Sequence, residues 1–189
     1  MRLLLNRVRN AVSRVVQPLV SAVARSRVPP NFITLMGFLV SLVAAYAFYR
    51  SMPVLGGVVL LISGFFDIID GAVARASGRV TRWGGVLDST LDRYSDLAVL
   101  GAIAVSGLCN PIAGMAAMIG SVMVSYVRAR GEVEQVRMSA VGLMERAERM
   151  VLVAATAILG ILDIGIMLLA LLTNMTVLQR LYHIWRSLS

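Results

Sequence analysis

Asp67 and Asp70 stand three residues apart, and Asp88 and Asp92 four apart, in a chain with only six aspartates. On a helix, either spacing puts both carboxylates on one face. The stretch 77–82 between the pairs contains Gly78 and reads as a turn, so two antiparallel helices can bring all four carboxylates together. Four ionised carboxylates in one place repel one another, and burial disfavours each charge further. Divalent cations resolve both problems, and hard oxygen ligands select Mg²⁺, Mn²⁺ or Ca²⁺ over zinc. Gly71, Ala74 and Gly84 lie beside the aspartates. Their small side chains allow close helix packing, or leave room for a nucleotide against the backbone. Arg75, one turn after Gly71, can reach a phosphate or anchor the chain at lipid headgroups. Asp96 extends the Asp88 and Asp92 face by one turn. It is expected to be a supporting polar contact, to Arg93 or a neighbour, rather than a metal ligand.

The elements that must carry these carboxylates are apolar. Of 189 residues, 58% are hydrophobic and 15% charged, against roughly a quarter charged in soluble domains. Phe32–Tyr49 carries no charge and spans about 27 Å as a helix. Leu97–Val127 is uncharged too, interrupted by Asn110-Pro111, which predicts two helices and a turn. Period-2 alternation is lacking, so helices rather than a barrel must satisfy the backbone in lipid. The expected fold is an all-α integral membrane bundle of six transmembrane helices, at about 31–50, 53–76, 83–106, 109–131, 145–161 and 163–187. Leu4, Val8, Val12, Val15, Leu19 and Val23 make an apolar stripe among arginines, predicting an amphipathic interfacial helix over 1–28 ahead of a membrane domain over 29–189.

The net charge is +8, and all 18 basic residues are arginine. They flank apolar spans, which favours headgroups or phosphorylated substrates over nucleic acid. Alternate loops collect Arg79, Arg82, Arg128, Arg130, Arg137, Arg146 and Arg149. The positive-inside rule then places a multi-pass protein in the cell membrane with both termini and the carboxylates on the cytoplasmic side. Cys109 and His183 are single, so neither a disulfide nor a zinc cluster nor a Ser-His-Asp triad is expected.

The string Asp67-x2-Asp70-Gly71-x2-Ala74-Arg75-x8-Gly84-x3-Asp88-x3-Asp92 resembles the signature of the CDP-alcohol phosphotransferase family at all its fixed positions. Pro30-Asn31-x2-Thr34 is similar to that family's entry motif. The resemblance implies a two-metal centre of Mg²⁺ or Mn²⁺ against a CDP pyrophosphate. Asp67, Asp70 and Asp88 would be ligands, and Asp92 would complete the site and take the acceptor's proton. Gly71, Ala74, Arg75 and Gly84, with Asn31 and Thr34, would line the CDP pocket. The donor would be a CDP-linked lipid, and the protein a homodimer, for which Gly101, Gly107, Gly114 and Gly120 offer a small-residue stripe.

An acceptor carrying its own phosphate would need cations, and arginine presents a planar fork to phosphate oxygens. Tyr126 to Glu132 and Glu145 to Arg149 resemble the branch of the family that uses inositol phosphate. That resemblance implies inositol 1-phosphate as acceptor, held by Arg128, Arg149 and Arg180, with Arg137 and Arg146 as substitutes. Glycerol 3-phosphate is the alternative acceptor. A reading from another class, an ion-coupled transporter, would need charges near the bilayer midplane and broken helices.

Overall fold

The computed structural model describes Val20, residues 28–138 and residues 141–189. The expected interfacial helix over 1–28 falls outside the described residues, except that Val20 and Val28 pack against Ile33, Ile69 and Val73. The described chain forms six helices: α1 (Pro30–Tyr49), α2 (Pro53–Ala76), α3 (Arg82–Val105), α4 (Pro111–Val133), α5 (Arg146–Ile158) and α6 (Leu162–Leu188).

Helix starts follow local chemistry. Proline opens α1, α2 and α4, where its missing N–H has no intrahelical partner to lose. Asn110 caps α4, its Oδ1 accepting from the Ile112 and Ala113 amides at 2.9 and 3.3 Å. Thr81 caps α3 by accepting from Gly84 N at 2.9 Å. Gly78, at a φ of 64°, lets the chain reverse between the two aspartate-bearing helices.

Helices α1 to α3 pack together, α4 packs on α6, and α5 bridges from α2 to α6. The core runs through all six, with Phe48, Leu60, Ile103, Ala117, Val153 and Ile166 buried in one cluster. Leu39, Val43, Leu55, Leu61, Ile119 and Leu171 face outward, as suits a surface wetted by lipid rather than water.

Four helices, α1, α2, α4 and α6, are long and apolar enough to cross a membrane. Helix α3 has 24 residues but carries Asp88, Asp92, Arg93 and Asp96. Helix α5 is shorter than the expected 145–161 span. It has 13 residues, about 20 Å, because Gly160 at a φ of 75° turns the chain soon after Ile158.

Small residues are spent inside the bundle. A Cβ at Gly57 would lie 2.9 Å from the Ala154 carbonyl oxygen of α5, a backbone atom that cannot swing aside. Gly57→Ala is therefore expected to cost about 1–3 kcal/mol by overpacking, visible as a lower thermal midpoint in detergent. Gly114 abuts Ala104 and Cys109, and Gly120 abuts Thr173 and Asn174. Those two glycines of the expected dimer stripe thus pack α4 against this chain's own α3 and α6.

Candidate active site

The site begins with the approach of α1 to α2. Ser63 Oγ donates to the Gly37 carbonyl at 2.9 Å, and a Cβ at Gly37 would meet Phe66 Cβ at 2.9 Å and Asp67 Oδ1 at 3.5 Å. Ser41 Oγ donates to Ser95 Oγ at 2.8 Å, tying α1 to α3 in the core. These contacts hold the two carboxylate faces toward each other. Asp67 and Asp70 come from the end of α2, Asp88, Asp92 and Asp96 from α3, and Asp70 lies within electrostatic reach of Asp88 and Asp92.

The entry motif joins them. Thr34 reaches the Asp70 carboxylate, and Asn31 Oδ1 would stand 3.0 Å from a Cβ at Gly84. Arg75 folds back so that its Nη1 lies 3.2 Å from where a Gly71 Cβ would be. Gly71 thus makes room for the arginine head, and Gly84 for the Asn31 amide. Ala74 is half-buried on the same helix. Asn31, Thr34, Gly71, Arg75 and Gly84 therefore meet at one end of α1 to α3.

The guanidinium of Arg146, first residue of α5, lies among the carboxylates. Its Nη1 contacts Asp67 Oδ2 and lies 2.9 Å from Asp92 Oδ1, and its Nε is 3.6 Å from Asp96 Oδ1. Asp96 also accepts from Arg149 Nη2 at 2.7 Å, so its partners are on α5 rather than Arg93. Arg93 is instead 3.8 Å from Asp92. With Arg146 interposed, no three acidic, imidazole or thiol groups among the described residues gather closely enough to hold a metal.

The donor set nevertheless fits a hard cation. Every candidate is a carboxylate, a cationic group already lies among them, and Asp70 Oδ2 is buried without a hydrogen-bond partner.

Beside Asp92 opens a cleft of about 140 Å³ lined by Arg128, Arg146, Arg149, Arg180, Ser125 and Glu145, among others. Arg128 is exposed and pairs with Glu132 at 2.9 Å. Arg149 is buried against Asp96. Arg180, 2% exposed, donates from Nη1 to the Val124 carbonyl at 2.6 Å and from Nε to the Val141 carbonyl at 2.9 Å. It braces the segment that follows α4 against α6. The structure leaves Arg137 outside the cleft. It is exposed, and its carbonyl lies 3.2 Å from His183 Nε2. Ser125 and Glu145 line the cleft without having been expected to, although Glu145 opens the segment that carries the branch resemblance. Glu145 N donates to Glu148 Oε2 at 3.0 Å, and the spacing of these two residues is a capping signal that could have marked the start of α5.

Paired carboxylates at one end of a helical bundle that open onto a pocket of arginines are a charge pattern suited to phosphate-bearing molecules. The family model for CDP-alcohol phosphatidyltransferases matches residues 27–179, and the chain belongs to that family. It is an enzyme of this type and a multi-pass membrane protein.

The chain is 38% identical over 180 residues to an archaetidylinositol phosphate synthase of Pyrococcus horikoshii, covering 95% of this chain and 96% of that one. Its fold matches a crystal structure of Mycobacterium tuberculosis phosphatidylinositol phosphate synthase with CDP-DAG bound. The TM-score is 0.81 at 31% identity, over 91% of this chain and 94% of that one. A second structure of that enzyme, in complex with manganese and citrate, matches with a TM-score of 0.80 at 32% identity, over 89% and 88%. This family membership replaces the transporter reading.

Proposed function

We infer that this chain transfers the substituted phosphate of a CDP-linked lipid to inositol 1-phosphate and releases CMP. The observation that carries the reading is the arginine-lined cleft opening directly beside Asp92. A neutral alcohol would not need that many cations, whereas an acceptor bearing a dianion would. The names of the similar proteins, an archaetidylinositol phosphate synthase and a phosphatidylinositol phosphate synthase, support the same acceptor.

In this reading the acceptor's phosphate lies against Arg128, Arg149 and Arg180, which leaves its hydroxyl toward Asp92. The hydroxyl oxygen bonds to the lipid-bearing phosphorus while the bond from that phosphorus to the CMP phosphate breaks. CMP departs with the electron pair, and Asp92 takes the hydroxyl proton. Asp67, Asp70 and Asp88, with Asp92, are proposed to hold Mg²⁺ or Mn²⁺ as a two-metal centre. When bound, the metals would neutralise the pyrophosphate and the charge growing on CMP. Asn31, Thr34, Gly71, Ala74, Arg75 and Gly84 are proposed to receive the cytidine diphosphate. Arg75 has no ion pair among the described residues and is poised to meet a phosphate.

The proposal extends to architecture. A membrane domain over 29–189 crosses six times, with α3 long enough at about 36 Å and α5 completed by the turn after it. The site and both termini lie on the cytoplasmic side. The homodimer implied by the family resemblance would need a seam other than Gly114 and Gly120, which are packed within the chain.

The test is release of CMP by purified protein supplied with a CDP-lipid, Mn²⁺ or Mg²⁺, and one acceptor at a time. Release is expected with inositol 1-phosphate and not with inositol or serine, and EDTA is expected to abolish it. Release with glycerol 3-phosphate alone would keep the chemistry and replace the acceptor.

A further inference from the structure

Arg146 stands at the junction of two regions with opposite charge. On one side its guanidinium contacts Asp67, lies 2.9 Å from Asp92 and lies 3.6 Å from Asp96. On the other it lines the cleft with Arg128, Arg149 and Arg180. Its side chain is 19% exposed, and its Nε is buried without a hydrogen-bond partner. The carboxylates therefore hold Arg146 mainly through Nη1, and part of the fork is unspent.

We propose that Arg146 makes the site selective for phosphorylated acceptors, holding Asp67 and Asp92 until a phosphate in the adjoining cleft draws it away. This rests on the assignment of Asp67, Asp70, Asp88 and Asp92 to one metal and proton-transfer site. While Arg146 neutralises Asp67 and Asp92, a divalent cation must displace a positive charge to reach them. The alternative place for Arg146 is the cleft, where Arg128, Arg149 and Arg180 are answered by Glu145 on the lining and by the ion pairs to Glu132 and Asp96, so a further cation gains little there until a phosphate adds negative charge. A phosphate there reverses that balance, because a dianion among Arg128, Arg149 and Arg180 attracts a further fork. The long side chain pivots from the first residue of α5, between both regions, so the exchange needs no helix movement. An acceptor without phosphate fills the cleft with no charge and leaves Arg146 on the carboxylates. Selection then comes from freeing the reactive groups as well as from affinity. By linkage, acceptor and metal must strengthen each other's binding by the same factor.

The experiment measures Mn²⁺ affinity by electron paramagnetic resonance of the free ion, without CDP-lipid, in the wild type, R146Q, R146K and D88N. In the wild type, saturating inositol 1-phosphate is expected to tighten Mn²⁺ binding by about 5-fold or more, and inositol to leave it unchanged. R146Q is expected to bind Mn²⁺ at least about 5-fold more tightly than the wild type without acceptor, and to lose the response to inositol 1-phosphate. R146K, a point charge without the fork, keeps the protein close to native and is expected to fall between them. Equal or weaker Mn²⁺ binding in R146Q, or an undiminished response in it, overturns the proposal. If D88N binds Mn²⁺ as the wild type does, the metal assignment fails with it. If D88N loses Mn²⁺ while R146Q behaves as the wild type, the role of Arg146 alone is refuted.

Discussion

Asp92→Asn is expected to lower kcat for CMP release by about 10²–10⁴-fold, the usual contribution of a positioned general base. The substitution keeps the shape of the side chain and removes its ability to accept a proton at neutral pH. Folding should survive, because Arg146 still has Asp67 and Asp96 as partners, and among the described residues the carboxylate of Asp92 makes no tie to a backbone amide. The measurement is the initial rate of CMP release under saturating donor, acceptor and metal, with size exclusion as a control for folding. A decrease of less than tenfold would move the proton to another group, and Asp88, one turn away on α3, would be the next to change.

Asp96→Ala is expected to have the largest effect on stability, about 3–5 kcal/mol. Arg149 is 4% exposed, and Asp96 Oδ2 is its hydrogen-bonded partner at 2.7 Å. Removing the carboxylate leaves a buried guanidinium unpaired beside Arg146, a second cation that Asp96 also faces. Denaturant or thermal unfolding in detergent reads the loss. The double variant with Arg149→Met is expected to recover most of the stability, because the stranded charge goes with its partner. It should not recover affinity for the acceptor phosphate, since Arg149 lines the cleft. A stable Asp96→Ala protein would mean that Arg149 had found water or another anion.

What could be read in the sequence was local. The spacings Asp67 to Asp70 and Asp88 to Asp92 fix shared faces within single helices, and the structure brings those faces together through the reversal at Gly78. Pro30, Pro53 and Asn110-Pro111 mark helix starts by their own backbone chemistry, and α1, α2 and α4 open there. The partners that depend on distant helices were not legible. Nothing near Arg146 in sequence says that it meets Asp67, 79 positions earlier. The Ser41–Ser95 bond spans 54 positions in the same way. Gly114 and Gly120 suggested a surface stripe by spacing alone, yet their neighbours Ala104 and Thr173 belong to other helices. The length of α5 was overestimated because an apolar run continues past the helix end, and hydropathy does not register the turn at Gly160.

The division of the bundle has a historical consequence. The residues proposed to meet the nucleotide all come from α1 to α3, and those proposed to hold the second substrate's phosphate come from α4 to α6, while Asp92 of α3 faces its hydroxyl. Arg146 and Arg149 span that boundary through ion pairs. A lineage could therefore exchange one phosphorylated alcohol for another by altering the last three helices alone, inheriting the nucleotide end intact. The two arginines at the boundary are where such a graft would have to match, so divergence should be slowest there.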